Sequence, residues 1–103
     1  MAFAIGTPLL DACVLSVLSQ GDTYGDVLTQ QVQEVLDISE STLYPVLRRL
    51  QKEGALTVYD QAYQGRNRRY YRISEQGLEK LEHYRQEWIR FRGGIDHLIM
   101  EEV

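Results

Sequence analysis

The sequence predicts a mainly α fold with a small β-hairpin, namely a winged helix-turn-helix followed by a long C-terminal dimerisation helix. Three observations carry this expectation. Apolar residues recur at helical spacing in three segments between residues 7 and 54, and these segments are joined by short turns. A polar stretch containing Gly65, flanked by two short β-prone runs, follows the third segment directly. The last thirty residues then place apolar side chains at alternating intervals of three and four. The boundaries drawn on this basis are residues 1–73 for the winged helix-turn-helix and 74–103 for the final helix.

In the first helix Thr7 is placed to cap and Pro8 to occupy the first helical position. Leu9, Leu10, Cys13, Val14, Val17 and Leu18 follow at helical spacing until Gly21 stops the run. Asp22 or Thr23 can cap a second helix that turns Val27, Leu28, Val32 and Val35 or Leu36 inward and leaves Gln30, Gln31, Gln33 and Glu34 to water. A short Asp37-Ile38 connection leads to Ser39, a natural cap for the third helix. Two helices so joined fit a helix-turn-helix, and an ordinary helical hairpin has the same outline.

The third helix divides cleanly. Leu43, Val46, Leu47 and Leu50 share an apolar arc, while Ser41, Tyr44, Pro45, Arg48, Arg49 and Lys52 share the opposite one. A solvated face normally mixes acids with its bases, and this one carries hydroxyls, an aromatic ring and cations. Pro45 deletes one backbone hydrogen bond early in the helix. Gly54 ends it. Residues 56–59 and 69–73 read as strands, with 61–68 as a polar tip carrying Arg66 and Arg68. A hairpin with a basic tip directly after a helix-turn-helix is a wing, and Tyr70 and Tyr71 are read as its packing residues.

Ser74 caps the last helix, whose residues Leu81, Tyr84, Trp88, Phe91, Ile95 and Leu98 form the seam of a coiled coil. The simplest cover for this seam is the same stripe on a second copy, supplemented by Phe3-Ala4-Ile5 and the first helix. The pair Gly93-Gly94 either admits a close neighbouring backbone or bends or breaks the helix.

Charge supports a nucleic-acid partner. Residues 44–73 hold seven basic side chains against Glu53 and Asp60, a net of +5, and the remainder holds four basic and thirteen acidic side chains, a net of −9. The overall charge of −4 thus conceals a dipolar chain with one segment able to neutralise phosphate. The candidate DNA-binding residues are Ser41, Thr42, Tyr44, Arg48, Arg49 and Lys52 on the helix and Arg66, Arg68 and Arg69 on the wing.

Other classes find little support. At 103 residues the chain is one small domain that a partner copy would help to stabilise. Its single cysteine, Cys13, forms no internal disulfide and fits a reducing, cytoplasmic setting as a small core side chain. The apolar opening lacks a basic leader and is interrupted by Pro8 and Asp11, so it reads as mature sequence, and no run is long enough to span a bilayer. His83 and His97 lie about 21 Å apart along a helix at about 1.5 Å per residue, too far to share a metal. No nucleophile–base pair, phosphate-cradling loop, metal site or cofactor motif is present, so an enzyme is not expected. A winged helix serving only as a protein-interaction module is the rival reading.

Tyr24-Gly25, Thr42-Leu43-Tyr44-Pro45 with Leu47, Arg49-Leu50 and Glu53-Gly54, and the run from Gly65 through Arg-Asn-Arg-Arg-Tyr-Tyr-Arg-Ile-Ser-Glu-Gln to Gly77 together resemble the PadR family of winged-helix transcriptional regulators. The ordered set covers nearly the whole chain. The single last helix is similar to the compact subgroup, and the segment between Tyr24-Gly25 and Leu43-Tyr44-Pro45 is shorter than in many relatives. The resemblance implies a homodimer on a pseudo-palindromic operator in double-stranded DNA, usually as a repressor, released in some members by a small aromatic effector. Trp88, with Tyr84 and Phe91 nearby, is where such an effector would stack, the plainer reading being that Trp88 packs the dimer interface.

Overall fold

The computed structural model describes residues 6–100, in the order α1 (Thr7–Ser19), β1 (Thr23–Tyr24), α2 (Gly25–Gln33), α3 (Glu40–Lys52), β2 (Leu56–Tyr63), β3 (Arg66–Ile73) and α4 (Glu75–Ile99). The helices converge on one core of Val14, Leu15, Leu18, Leu28, Val32, Leu43, Val46, Leu47, Leu50, Ala55, Leu56 and Leu81. The apolar arc read from the third helix is the face that α3 buries. Among the described residues no helix is long and apolar enough to cross a membrane.

Capping separates the helices. Ser39 caps α3 as expected, accepting a hydrogen bond from the Thr42 amide at 3.3 Å, and Ser74 caps α4 by accepting from the Gly77 amide at 3.0 Å. Pro45 sits inside α3 without interrupting it. By contrast, α1 already includes Thr7, with Gly6 preceding it and no side-chain cap. The second helix starts later than the sequence suggests, at Gly25, because Thr23 and Tyr24 are drawn into β1 and pair with Tyr71 and Tyr70 of β3. Asp22 caps nothing there, since its carboxylate accepts from the Tyr59 hydroxyl at 2.7 Å and from Arg72. Beyond Gln33 the chain leaves the helix, so Val35 is exposed while Leu36 packs against the core.

The hairpin also extends further than its composition implies. Eight residue pairs run from Leu56↔Ile73 to Tyr63↔Arg66, and β1 adds a third strand in the order β1-β3-β2. The polar tip assigned to 61–68 is therefore mostly ladder, and the turn is Gln64-Gly65 alone. Both residues have positive φ, 51° and 77°, the backbone that a two-residue hairpin turn needs to match strand twist. Backbone ladder bonds are indifferent to side-chain polarity, and Asp60 and Arg69 face each other at 3.7 Å across the strands.

The last helix is unbroken through Gly93 and Gly94, and the space beside both glycines is open. Its apolar stripe divides in two. Leu81 is buried and Tyr84 half-buried against the chain's own core, so these two seam residues are covered internally, where the sequence reading assigned the whole seam to a second copy. Trp88 and Ile95 remain more than a third exposed, and Leu98 is 73% exposed. The far half of α4 projects from the core, and the chain measures 58 × 26 × 21 Å. The segment Phe3-Ala4-Ile5, expected to help cover the seam, lies outside the described residues.

Candidate nucleic-acid interface

The cap that starts α3 also builds one edge of the surface. Ser39 Oγ lies 2.9 Å from Ser41 Oγ and 3.1 Å from Thr42 Oγ1, so three hydroxyls cluster at the helix N-terminus in the open. About two and three turns on, Arg48 and Lys52 are exposed. Arg66 is exposed beside the hairpin turn. Among the described residues these three cations take part in no ion pair, so their charge is available to a phosphate.

Between α3 and the wing lies a cleft of about 250 Å³ lined by Tyr24, Gly25, Asp26, Tyr44, Arg68, Arg69 and Tyr71. It gathers three of the sequence-nominated residues, Tyr44, Arg68 and Arg69, from elements far apart in the chain. Burial, then Glu40 and Asp26, push the Tyr44 phenol above its ordinary pKa, so it remains an O–H donor at neutral pH. The Arg68 guanidinium lies 4.5 Å from the Tyr24 ring centre and 5.4 Å from that of Tyr63, a shelf that fixes the cation without neutralising it. Arg68 Nε is buried with no hydrogen-bond partner among the described residues. Arg69 is shared with Asp60.

The tyrosines of the wing pack, as the sequence suggested. Tyr70 stacks on Tyr59 at 5.5 Å with 13° between planes, and Tyr24 meets Tyr70 edge-on at 5.6 Å. Tyr71 turns to the opposite face and packs on the core. Arg72 is drawn away from the cleft by Asp22 at 2.9 Å.

Arg49 is the one nominated residue that turns from the others. Its guanidinium binds Asp11 of α1, which is 2% exposed, and donates to Glu53 Oε2 at 3.1 Å. The wheel drawn from sequence put Arg49 beside Arg48, but 100° of rotation separates neighbours, and a buried carboxylate draws the second cation inward. Asp11, which the sequence reading passed over as an interruption of an apolar run, is the residue that holds Arg49. Its signal was its spacing: Val14, Leu15 and Leu18 stand three, four and seven residues on, which puts Asp11 on the buried face. Arg49→Ala is expected to lower stability by about 2–3 kcal/mol, below the ~3–5 kcal/mol of a fully buried pair because the arginine is about a third exposed. Urea unfolding of both proteins measures this, and equal midpoints would show that the pair contributes nothing.

On the opposite side, α1, the end of α2 and α4 enclose an open apolar groove of about 450 Å³ whose lining includes Leu9, Cys13, Val17, Leu36, Tyr84 and Trp88. Burial pushes the Cys13 thiol pKa up, which favours an unreactive neutral thiol. Phe91 touches Trp88, with ring centres 6.0 Å apart, without lining the groove. Among the described residues no group of His, Cys, Asp or Glu is arranged to hold a metal, and His83 lies 3.6 Å from Glu87.

The profile of the transcriptional regulator PadR-like family matches residues 14–83. An uncharacterized protein of Lysinibacillus sphaericus is 33% identical over 97 residues, 89% of this chain and 88% of that one. The crystal structure of a protein from Streptococcus mutans UA159 superposes with a TM-score of 0.89 at 33% identity, covering 100% of this chain and 97% of the other. That of a PadR-like transcriptional regulator from Bacillus cereus gives 0.84 at 33% identity, covering 91% and 94%.

Proposed function

Because the chain belongs to the transcriptional regulator PadR-like family, we propose that it is a cytoplasmic repressor that binds a pseudo-palindromic operator in double-stranded DNA as a homodimer. The observation that carries this reading is that Arg48, Lys52 and Arg66 are exposed and in no ion pair among the described residues, while a cleft between α3 and the wing holds Tyr44, Arg68 and Arg69. In this reading α3 enters the major groove. Ser41, Thr42 and Tyr44 meet phosphates or base edges near its start, Arg48 approaches a guanine or a phosphate, and Lys52 stays on the backbone. Arg66, Arg68 and Arg69 meet phosphates beside the groove and supply affinity more than sequence. Arg49 acts from behind the helix.

Dimerisation runs along α4, where Trp88, Phe91, Ile95 and Leu98 lie against the same residues of a second copy, with Tyr84 and Leu81 at the inner end of the stripe. A planar aromatic effector would stack in the groove at Tyr84 and Trp88, next to Phe91, and oppose operator binding by changing the angle between the two copies.

Selection of bound genomic fragments tests the DNA reading, and an enriched inverted repeat is the expected result. Recovery of no specific duplex, with a protein partner retained instead, would favour an interaction module. Ile95→Asp is expected to dissociate the dimer by burying a carboxylate in the seam. Sedimentation at micromolar concentration measures this, and a wild-type protein that is monomeric there, or an unaffected variant dimer, would defeat the assignment.

A further inference from the structure

We propose that Asp11 is a positioning residue for α3, which ties the orientation of the proposed DNA-reading helix to that of α4 through Tyr84. The inference rests on the reading of α3 given above for its meaning, but its first test needs no DNA.

The two oxygens of Asp11 are held by two different helices. Oδ1 accepts from Arg49 Nη2 on α3, and Oδ2 accepts from the Tyr84 hydroxyl on α4 at 3.0 Å. A second bridge runs beside the first. Arg49 Nη1 donates to Glu53 Oε2 at 3.1 Å, and the other oxygen of Glu53 accepts from Lys80 Nζ at 3.0 Å. Lys80 and Tyr84 are one turn apart on α4, and the ammonium lies 5.9 Å from the Tyr84 ring centre. The four bonds, joined through the turn of α4 between Lys80 and Tyr84, thus close a ring from Asp11 to Arg49, Glu53, Lys80, Tyr84 and back to Asp11 that includes three helices.

Such a ring transmits displacement. Burying a carboxylate to 2% exposure is costly unless donors satisfy both of its oxygens, and a low local dielectric raises the cost of losing either one. A rotation of α4 that withdrew Tyr84 would leave Asp11 dependent on Arg49 alone, and the helix carrying Arg49 would follow. Burial and the neighbouring Asp11 hold the Tyr84 phenol far above its ordinary pKa, so it stays a donor throughout the physiological range. The same tyrosine ring lines the groove next to Trp88, so anything that fills the groove pushes on one end of the ring. Glu53 is held below the usual carboxylate range by Lys80 and then Arg49, so the second bridge also stays charged near neutrality.

Tyr84→Phe keeps the aromatic ring and the Asp11–Arg49 pair and removes only the hydroxyl that reaches Asp11. Hydrogen–deuterium exchange on the full chain should show amides 46–52 of α3 exchanging about three- to tenfold faster in this variant, with those of β2 and β3 unchanged. Lys80→Met, which opens the second bridge, should act in the same direction on the same amides. Faster exchange confined to α1 and α4 in both variants would overturn the proposal and leave Asp11 a local packing group. A second readout uses Trp88, one turn beyond Tyr84. Its emission should change when a duplex recovered from the genomic selection is added to the wild type, and at duplex concentrations that saturate both proteins Tyr84→Phe should lose most of that response. An identical emission response in the two proteins would also overturn it. Failure to recover any duplex would count against the DNA reading alone, because the exchange experiment still decides the ring.

Discussion

Gly77→Ala is expected to cost about 3 kcal/mol or more, a large share of the roughly 5–15 kcal/mol that holds a small domain folded. A Cβ at this position would lie 2.0 Å from the Ala55 carbonyl oxygen and 2.7 Å from Ile73 Cγ1. Neither neighbour can yield cheaply. The Ala55 carbonyl already accepts the Ser74 amide at 3.0 Å, which joins the end of α3 to the start of α4, and Ile73 closes the hairpin register against Leu56. To make room, α4 would have to lift off the sheet and take Leu81 out of the core. Denaturant titration measures the loss. Gly94→Ala is the matched control: it adds the same methyl group to the same helix in open space and should raise stability by up to ~1 kcal/mol through helix propensity. Similar midpoints for the two variants would show that the contact at Gly77 relaxes without cost.

The second large effect is on DNA affinity. Removing Arg66 and Arg68 together should weaken binding to every duplex by roughly 10- to 30-fold at physiological salt and make the slope of log K against log salt about 1.8 units shallower, since each phosphate contact contributes about 0.9. The two arginines differ in how they are held. Arg66 is exposed beside the turn, whereas Arg68 is fixed over Tyr24 and loses less side-chain freedom on binding. Arg68 should therefore account for more than half of the loss. Arg48→Ala should behave differently, costing about 1–3 kcal/mol on the preferred sequence and relaxing preference at one base pair of each half-site. Titrations at several salt concentrations separate the cases, and an unchanged slope in the double variant would remove the wing from the interface.

Much of this arrangement was legible in the sequence because it depends on local rules. Ser39 and Ser74 cap as their positions suggest, and the arc from Leu43 to Leu50 is buried because helical geometry leaves it no alternative. The failures have a common cause in contacts between distant residues. Thr23 and Tyr24 form a strand only because β3 offers an edge, and residues 61–63 and 66–68 continue the ladder because a two-residue turn holds both sides in register. Arg49 and Arg48 cannot be told apart by composition. Only the approach of Asp11, 38 positions earlier, assigns one to the interior and leaves the other at the surface. Tyr24 and Tyr63, as the shelf under Arg68, were hidden for the same reason.

The division of the α4 stripe sets two scales of stability in one helix. From Glu75 to about Tyr84 the turns are held by the chain's own core, and their melting is a unimolecular event. From Trp88 to Ile99 there are twelve residues, a length at which an unsupported helix in water is marginal. In the proposed dimer part of their support comes from another molecule, so their order weakens with dilution, whereas that of the hairpin does not. Helical signal would fall before aromatic signal from the wing as protein concentration is lowered. In such a dimer the far end of α4 would act as a concentration gauge, best ordered where enough copies of the protein are present to act in pairs.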